Sequence, residues 1–272
     1  MPPPFEPPLA LDELAHILPF VVGVGSPLGQ GGQGILFRLE SDQGSHVLKV
    51  YRSAHRVRAE RECNLLTELR SPYLVRLVRW GTAVIRGEEC VYTVTEYVDG
   101  TPLDQLLRTK VLEEGEARIL GCSIASAIDT LWLHARIVHR DIKPGNIMLE
   151  PDGAAVLLDL GVAKHSELVT LTTWGVAWGT PGYMSPEQAR ARRGITFKSD
   201  LYSLGIVLYE AVSGKHPFAG RQELIGTVKP TPLREVAHVS DHLDRIVHRL
   251  LEADPLDRPT TCEEVMAELR GR

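Results

Sequence analysis

No stretch of about 18 consecutive apolar residues occurs in the 272-residue sequence, so no membrane-spanning segment is expected. Cysteine is scarce. Cys63, Cys90, Cys122 and Cys262 are scattered, and none forms a C-x-x-C pair. That argues against a zinc site or a disulfide framework, reads the thiols as small buried hydrophobes and fits a reducing cytoplasm. Positive charge is not in excess. The net charge of -5 speaks against a nucleic-acid binder driven by bulk charge. No internal repeat is visible. Met1 to Pro8 are proline-rich and include Glu6, without the basic-then-apolar order of a secretory signal. Residues 1–17 read as a Pro-rich extension with a flexible lead.

Hydrophobic residues make up 43% of the chain, enough to build a core and to rule out a disordered polymer. The pattern of elements changes along the chain. Ile35-Leu36-Phe37, Val47-Leu48-Lys49-Val50-Tyr51 and Val91-Tyr92-Thr93-Val94-Thr95 are short apolar or β-branched runs that predict strands. Ala59, Cys63, Leu66 and Leu69 recur at helical spacing between them. After Gly100 the spacing becomes helical. Ala117, Leu120, Ile124, Ile128 and Leu131 form one stripe, and Leu201 to Val212 is apolar nearly all round. The expected class is α+β, with a small antiparallel-β lobe over about 18–97, a joint near 96–100 and a larger helical lobe over about 101–272. A cleft between such lobes is a common ligand location.

Five motifs bear on chemistry. Gly29-Gln30-Gly31-Gly32-Gln33-Gly34 lets a backbone approach a phosphate closely and offer N–H donors. A dinucleotide-binding turn would need a helix directly afterwards. Here Ile35 to Leu39 reads as strand, so a hairpin folded over phosphates fits better. Lys49 lies inside an apolar strand; it is either a surface lysine or a cation aimed at a ligand. Glu62 is a candidate partner on the following helix, with Glu60 as competitor; the position of Glu62 relative to Leu66 turns it inward. His139-Arg140-Asp141-Ile142-Lys143-Pro144-Gly145-Asn146 packs a carboxylate, two cations, an imidazole and a carboxamide into one short loop. Asp141 is suited to take or orient a hydroxyl proton, Lys143 to meet charge developing on a phosphoryl group, and Asn146 to ligate a metal. Asp159-Leu160-Gly161 follows a strand. By itself it reads as a β-turn, but a hairpin between Asn146 and Asp159 would bring both together as metal ligands. Last come Gly179 to Glu187 and Ser199-Asp200-Leu201, where Asp200 precedes the apolar run and Arg258 could pair with Glu187.

This ordered set resembles the eukaryote-like (Hanks-type) Ser/Thr protein kinases of bacteria, over about Leu18 to Leu269. The resemblance implies a two-lobed protein kinase fold that binds ATP with Mg2+, or Mn2+ in its place, and phosphorylates Ser or Thr of protein substrates. It assigns Asp141, Lys143, Lys49 and Glu62 to catalysis and Asn146 and Asp159 to the metal. It assigns Leu28, Gly29, Gly31, Gly34, Leu36, Val47, Lys49, Thr95, Glu96, Val98 and Met148 to ATP, with Thr95 gating the adenine site and Glu96 and Val98 in the hinge. Thr180 is expected to touch Asp141 and Lys143 and to support Ser/Thr preference, while Glu187, Asp200 and Arg258 are structural. The segment holding Ser185-Pro186-Glu187 is implied to be the platform for a peptide. Three features depart from the family pattern. Val47 replaces the usual Ala and Leu36 the usual Val, which narrows the expected nucleotide site; Leu160 replaces Phe; and the segment between Lys49 and Glu62 is short, so the helix there is expected to begin late.

The same resemblance places Arg140, Arg58 and Lys164 around a phosphate on the activation segment, because three close cations repel unless an anion joins them. Thr170, Thr172 and Thr173 lie on that segment, and autophosphorylation is expected at Thr172 or Thr173, with a transient homodimer for transfer in trans. The rival reading is a pseudokinase, a nucleotide-binding or scaffolding module, with Val47 in its favour and Lys49, Asp141, Asn146 and Asp159 against it.

Overall fold

The computed structural model describes residues 13, 18, 21–31, 34–42, 44–51, 63–64, 66–159, 164–165 and 179–271. The chain divides into two units, one reaching residue 98 without 71–74, the other made of 71–74 and everything from 99 onward.

The first unit is built on an antiparallel sheet. Its strands are β1 (Val21–Gly31), β2 (Gly34–Ser41), β3 (Gly44–Tyr51), β4 (Leu77–Ile85) and β5 (Glu88–Glu96), in the spatial order β1-β2-β3-β5-β4. Side chains alternate across a strand, so each strand offers one row to a core and one row to the opposite face. Phe37 and Leu39 of β2, Leu48 and Val50 of β3, and Cys90, Tyr92 and Val94 of β5 form the core row. Leu18 joins that cluster and is fully buried. A two-residue turn, Arg86-Gly87, links β4 to β5 with φ of 50° and 82°. Positive φ at both positions is what a hairpin turn matching the strand twist requires. Arg86 also grips Glu13 through two parallel hydrogen bonds of 2.6 and 2.9 Å. So Glu13 and Leu18, in and beside the stretch read as an extension, are both held against the sheet unit.

The second unit is mainly helical. It contains β6 (Thr101–Pro102), α1 (Leu103–Leu106), α2 (Glu114–Ala135), β7 (Ile137–Val138), β8 (Ile147–Leu149), β9 (Ala155–Leu157) and β10 (Lys164–His165). Then follow α3 (Pro186–Ala189), α4 (Phe197–Ser213), α5 (Leu233–Val236), α6 (Asp241–Leu250) and α7 (Cys262–Leu269). The stripe Ala117, Leu120, Ile124, Ile128 and Leu131 is the buried face of α2. Glu113 and Glu116 close a reciprocal capping box at its start, which satisfies N–H groups that have no partner within the helix. α4 is buried on almost every side and stops at Gly214, whose φ of 67° is left-handed. α2 packs on both α4 and α7. Among the described residues no helix is long and apolar enough to cross a membrane.

One sequence expectation changes here. Asp200 does not precede the apolar helix. α4 begins at Phe197 with Thr196 as its N-cap, so Asp200 lies inside the first turn. Its carboxylate serves a different loop, as shown below.

Candidate active site

In the first unit the strand register places four expected nucleotide residues on one face. Leu36 stands opposite Lys49, and Val47 opposite Thr95. Cross-strand partners share a side of the sheet, and positions two apart share it as well. Leu36, Val47, Lys49 and Thr95 therefore line the face opposite the Phe37–Val94 core. Lys49 is only 7% exposed, and its ammonium lies 5.0 Å from the centre of the Tyr51 ring. The glycine motif closes the β1–β2 hairpin, with Gly29 opposite Leu36 and Gly31 opposite Gly34. A strand follows it, as the sequence predicts, and not the helix of a dinucleotide turn. Leu28 is exposed just before the hairpin closes. Glu96 ends β5 and is ion-paired to Arg76 at 3.0 Å. Val98 is half-buried at the end of this unit.

In the second unit the loop from His139 to Asn146 is fixed from below by Asp200. The two oxygens of this fully buried carboxylate each accept a backbone N–H at 2.8 Å, one from His139 and one from Arg140. Burial pushes the Asp200 carboxyl above its ordinary range, and the His139 ring and these N–H groups work against that push. Arg140 has a φ of 69°, a strained value for a side chain with a Cβ, and its two neighbours show why it persists. The His139 ring accepts the Asp141 N–H on Nδ1 at 3.3 Å. Its proton therefore sits on Nε2, which donates to the Leu158 carbonyl at 3.1 Å.

Asp141 is the centre of this loop. Its Oδ1 accepts the Thr180 hydroxyl at 2.6 Å, and its Oδ2 lies 2.9 Å from Lys143 Nζ. Lys143 also donates to Thr180 Oγ1 at 2.5 Å. A hydroxyl is thus held between a carboxylate that accepts its hydrogen bond and an ammonium that donates to its oxygen. Asn146 Nδ2 donates to the Asp141 carbonyl at 2.8 Å and to Asp141 Oδ2 at 3.0 Å. Those bonds use the amide nitrogen and turn the hard carbonyl oxygen of Asn146 away from Asp141, the donor type a Mg2+ ion accepts. The Leu158 N–H donates to the backbone carbonyl of Asn146 at 2.8 Å, so the β8–β9 hairpin sets Asn146 beside the strand end that leads into Asp159. Asp159 has a φ of 51°, which turns the chain there. Met148 lies on β8 opposite Val156 and against Gly100, where an added Cβ would come within 2.3 Å of the Leu149 carbonyl.

Past the loop, the Arg140 carbonyl accepts Gln188 Nε2 at 3.0 Å, and a Cβ on Gly179 would stand 2.6 Å from the same oxygen. Gly179 has a φ of 135°, so both its space and its backbone exclude a side chain. Glu187 and Arg258 form a two-pronged pair, with bonds of 2.7 and 2.9 Å, and the Ser199 hydroxyl adds a third to Glu187 at 2.5 Å. Burial works to raise the Glu187 pKa, but Arg258 and Ser199 outweigh it and hold the carboxyl below its usual value.

Residues 23–269 match the family model described as the protein kinase domain. The chain belongs to the protein kinase family. Among its relatives are the serine/threonine-protein kinase pkn3 of Myxococcus xanthus and the serine/threonine-protein kinase PknB of Mycolicibacterium smegmatis. The first is 34% identical over 269 residues, covering 90% of this chain and 48% of the relative. The second is 31% identical over 263 residues, covering 90% and 42%. The serine/threonine-protein kinase PknA of Mycobacterium tuberculosis is 36% identical over 193 residues, covering 65% and 42%. These are bacterial Ser/Thr kinases, and the chain spans less than half the length of each.

Against this kinase background, Asp141, Lys143, Asn146 and Thr180 meet in one cluster, and Glu187, Arg258 and Asp200 brace it. Lys164 lies on β10, where its backbone pairs with Val138 of β7. Arg58, Glu62, Leu160, Thr170, Thr172 and Thr173 lie outside the described residues. Sequence reasoning missed Gln188 and Ser199. Gln188 had a readable signal, because Ser185 and Gln188 form a capping box at the start of α3. Ser199 had none, since a serine before Asp200 gives no hint of a carboxylate across the fold.

Proposed function

We propose that this chain is the catalytic part of a Ser/Thr protein kinase that transfers the γ-phosphate of ATP to hydroxyls of protein substrates. The observation that carries the reading is the Thr180 hydroxyl held between Asp141 and Lys143. Asp141 would take or orient the proton of a substrate hydroxyl placed in the same way, raising its nucleophilicity. Lys143 would meet the charge that grows on the transferred group. The shared face of Leu36, Val47, Lys49 and Thr95 is the proposed nucleotide surface of the first unit, together with the hairpin glycines. Gly29, Gly31 and Gly34 would offer backbone donors, and Glu96 and Val98 the groups that recognise adenine.

The family uses ATP with a divalent ion, and we take that ion to be Mg2+. Asn146 and Asp159 would hold it; when bound, it neutralises phosphate charge and fixes phosphate geometry. Glu62 would orient Lys49. Protein substrates and a transient homodimer are the proposed partners. A cytoplasmic setting is the one that the scattered cysteines support. The test is transfer of labelled phosphate from ATP to a protein acceptor. Asp141→Asn is expected to lower the rate by about 10²–10⁴-fold, the usual worth of a positioned base. A wild-type rate no higher than that of the variant would refute the kinase reading.

A further inference from the structure

The loop from Gly179 to Ser185 runs from the Thr180 hydroxyl at Asp141 to the capping box of α3. Midway lies Gly182, buried and with a φ of 96°. Both of its backbone groups are held by side chains from the segment after α4. Its N–H donates to Gln222 Oε1 at 2.8 Å, and its carbonyl faces His216 Nε2 at 3.0 Å. Gln222 Nε2 also donates to the Met184 carbonyl at 3.4 Å.

His216 has its own proton position fixed. The N–H groups of Phe218 and Gly220 point at Nδ1 at 3.1 and 3.0 Å, and a backbone N–H can only donate. Nδ1 is therefore the acceptor, and Nε2 carries the proton given to Gly182. Burial pushes the His216 pKa below its ordinary value; Glu210 and the Gly182 carbonyl oppose the push. Its ring meets Tyr183 edge-on with centroids 5.2 Å apart, and the Tyr183 hydroxyl donates to Glu210 at 2.6 Å. The backbone also closes on itself here, since a Cβ on Gly182 would come within 3.2 Å of the Gly220 carbonyl.

A single hydrogen bond of this kind would be ordinary loop packing. Here two side chains from one segment hold both polar groups of a glycine two residues beyond Thr180. Resting on the kinase reading above, we propose that His216 and Gln222 are positioning residues for the peptide-acceptor loop: they fix Gly182, and through it set Thr180 against Asp141. The segment after α4 thereby becomes part of the machinery that receives a protein substrate, although neither side chain touches the Asp141 cluster.

The two residues should act on the acceptor and not on the nucleotide. The experiment is steady-state phosphorylation of myelin basic protein, a generic acceptor, with KM measured separately for acceptor and for ATP. Gln222→Leu is expected to raise the acceptor KM by about tenfold, with kcat within about threefold and the ATP KM unchanged. Gln222→Glu keeps an oxygen facing the Gly182 N–H and should stay within about threefold of the wild-type acceptor KM. His216→Phe keeps a ring against Tyr183 and loses all three hydrogen bonds; it should repeat the Gln222→Leu pattern and serves in its place if that variant fails to fold. An unchanged acceptor KM in both Gln222→Leu and His216→Phe would overturn the proposal. So would a parallel loss in kcat and both KM values, which marks a merely structural role. A wild-type chain that transfers no phosphate would instead overturn the kinase reading itself, and is seen before any variant is made.

Discussion

Arg258 is 1% exposed, yet it is a charged guanidinium. It survives there because every direction is answered. Glu187 takes two of its N–H groups, and the carbonyls of Lys198, Glu252 and Ala253 take others. Its guanidinium carbon also stands 4.7 Å over the Tyr202 ring. Removing one member leaves the other buried and uncompensated, so Arg258→Met should cost about 3–5 kcal/mol, measured by urea unfolding. Glu264 makes a contrasting case nearer the surface. It meets Arg249 at 2.6 Å and accepts the Thr260 N–H and hydroxyl at 2.7 and 2.9 Å. Burial works to raise its pKa, but these partners overcome it and hold the carboxyl at about 2, against an ordinary 4.5. A depressed folded-state value stabilises above the unfolded value and is lost as protons bind. The contribution of Glu264 should therefore be complete above about pH 4.5 and fade towards pH 2. Glu264→Gln should lower stability at neutral pH and flatten the acid limb of the stability curve over that window, read by denaturant titration at successive pH values.

Between helices, close approach decides stability more than propensity does. α4 meets α6 at Gly205, where an added Cβ would stand 2.8 Å from Leu250 Cβ and 3.1 Å from Leu251. Alanine is better than glycine in a helix interior by about 1 kcal/mol, yet overpacking a tight contact costs about 1–3 kcal/mol. Leu250 Cβ is fixed to its own backbone and cannot rotate away, so the packing term should win. Gly205→Ala is expected to lower the thermal midpoint, whereas Gly115→Ala on α2, where nothing lies within 4 Å, should raise it. Elements of this length were legible in sequence. The stripe from Ala117 to Leu131 and the apolar run from Leu201 to Val212 are long enough to show a period or its absence. β6, β7, β10, α1 and α3 have two to four residues and no period to read. Thr196 was passed over because the apolar run begins at Leu201, while the helix begins a turn earlier through polar Lys198, Ser199 and Asp200.

At the scale of the whole molecule, the proposed autophosphorylation makes a kinetic prediction. A loop phosphorylated by a second copy should gain phosphate at a specific rate that rises in proportion to enzyme concentration, whereas transfer within one chain would be independent of it. Mass spectrometry should then find the phosphate on Thr170, Thr172 or Thr173, and a phosphate elsewhere would remove the loop from the mechanism.

The sequence by itself determined the class of the molecule and its chemical inventory. A short loop that holds Asp141, Lys143 and Asn146 together needs no tertiary information to be recognised, because the chemistry is local to the chain. It likewise determined the β1–β2 hairpin, since strand periodicity resumes directly after the glycines. Only the tertiary structure decided how those groups are held. Asp200 reaches back to the N–H groups of His139 and Arg140, Arg258 crosses to Glu187, and Gln222 and His216 grip Gly182. Each is a bond between segments far apart in sequence; the Arg258–Glu187 pair is a candidate readable in the sequence, whereas the local surroundings of Asp200, Gln222 and His216 give no sign of their partners. Burial forces such groups to find partners, and the fold alone determines which ones stand within reach.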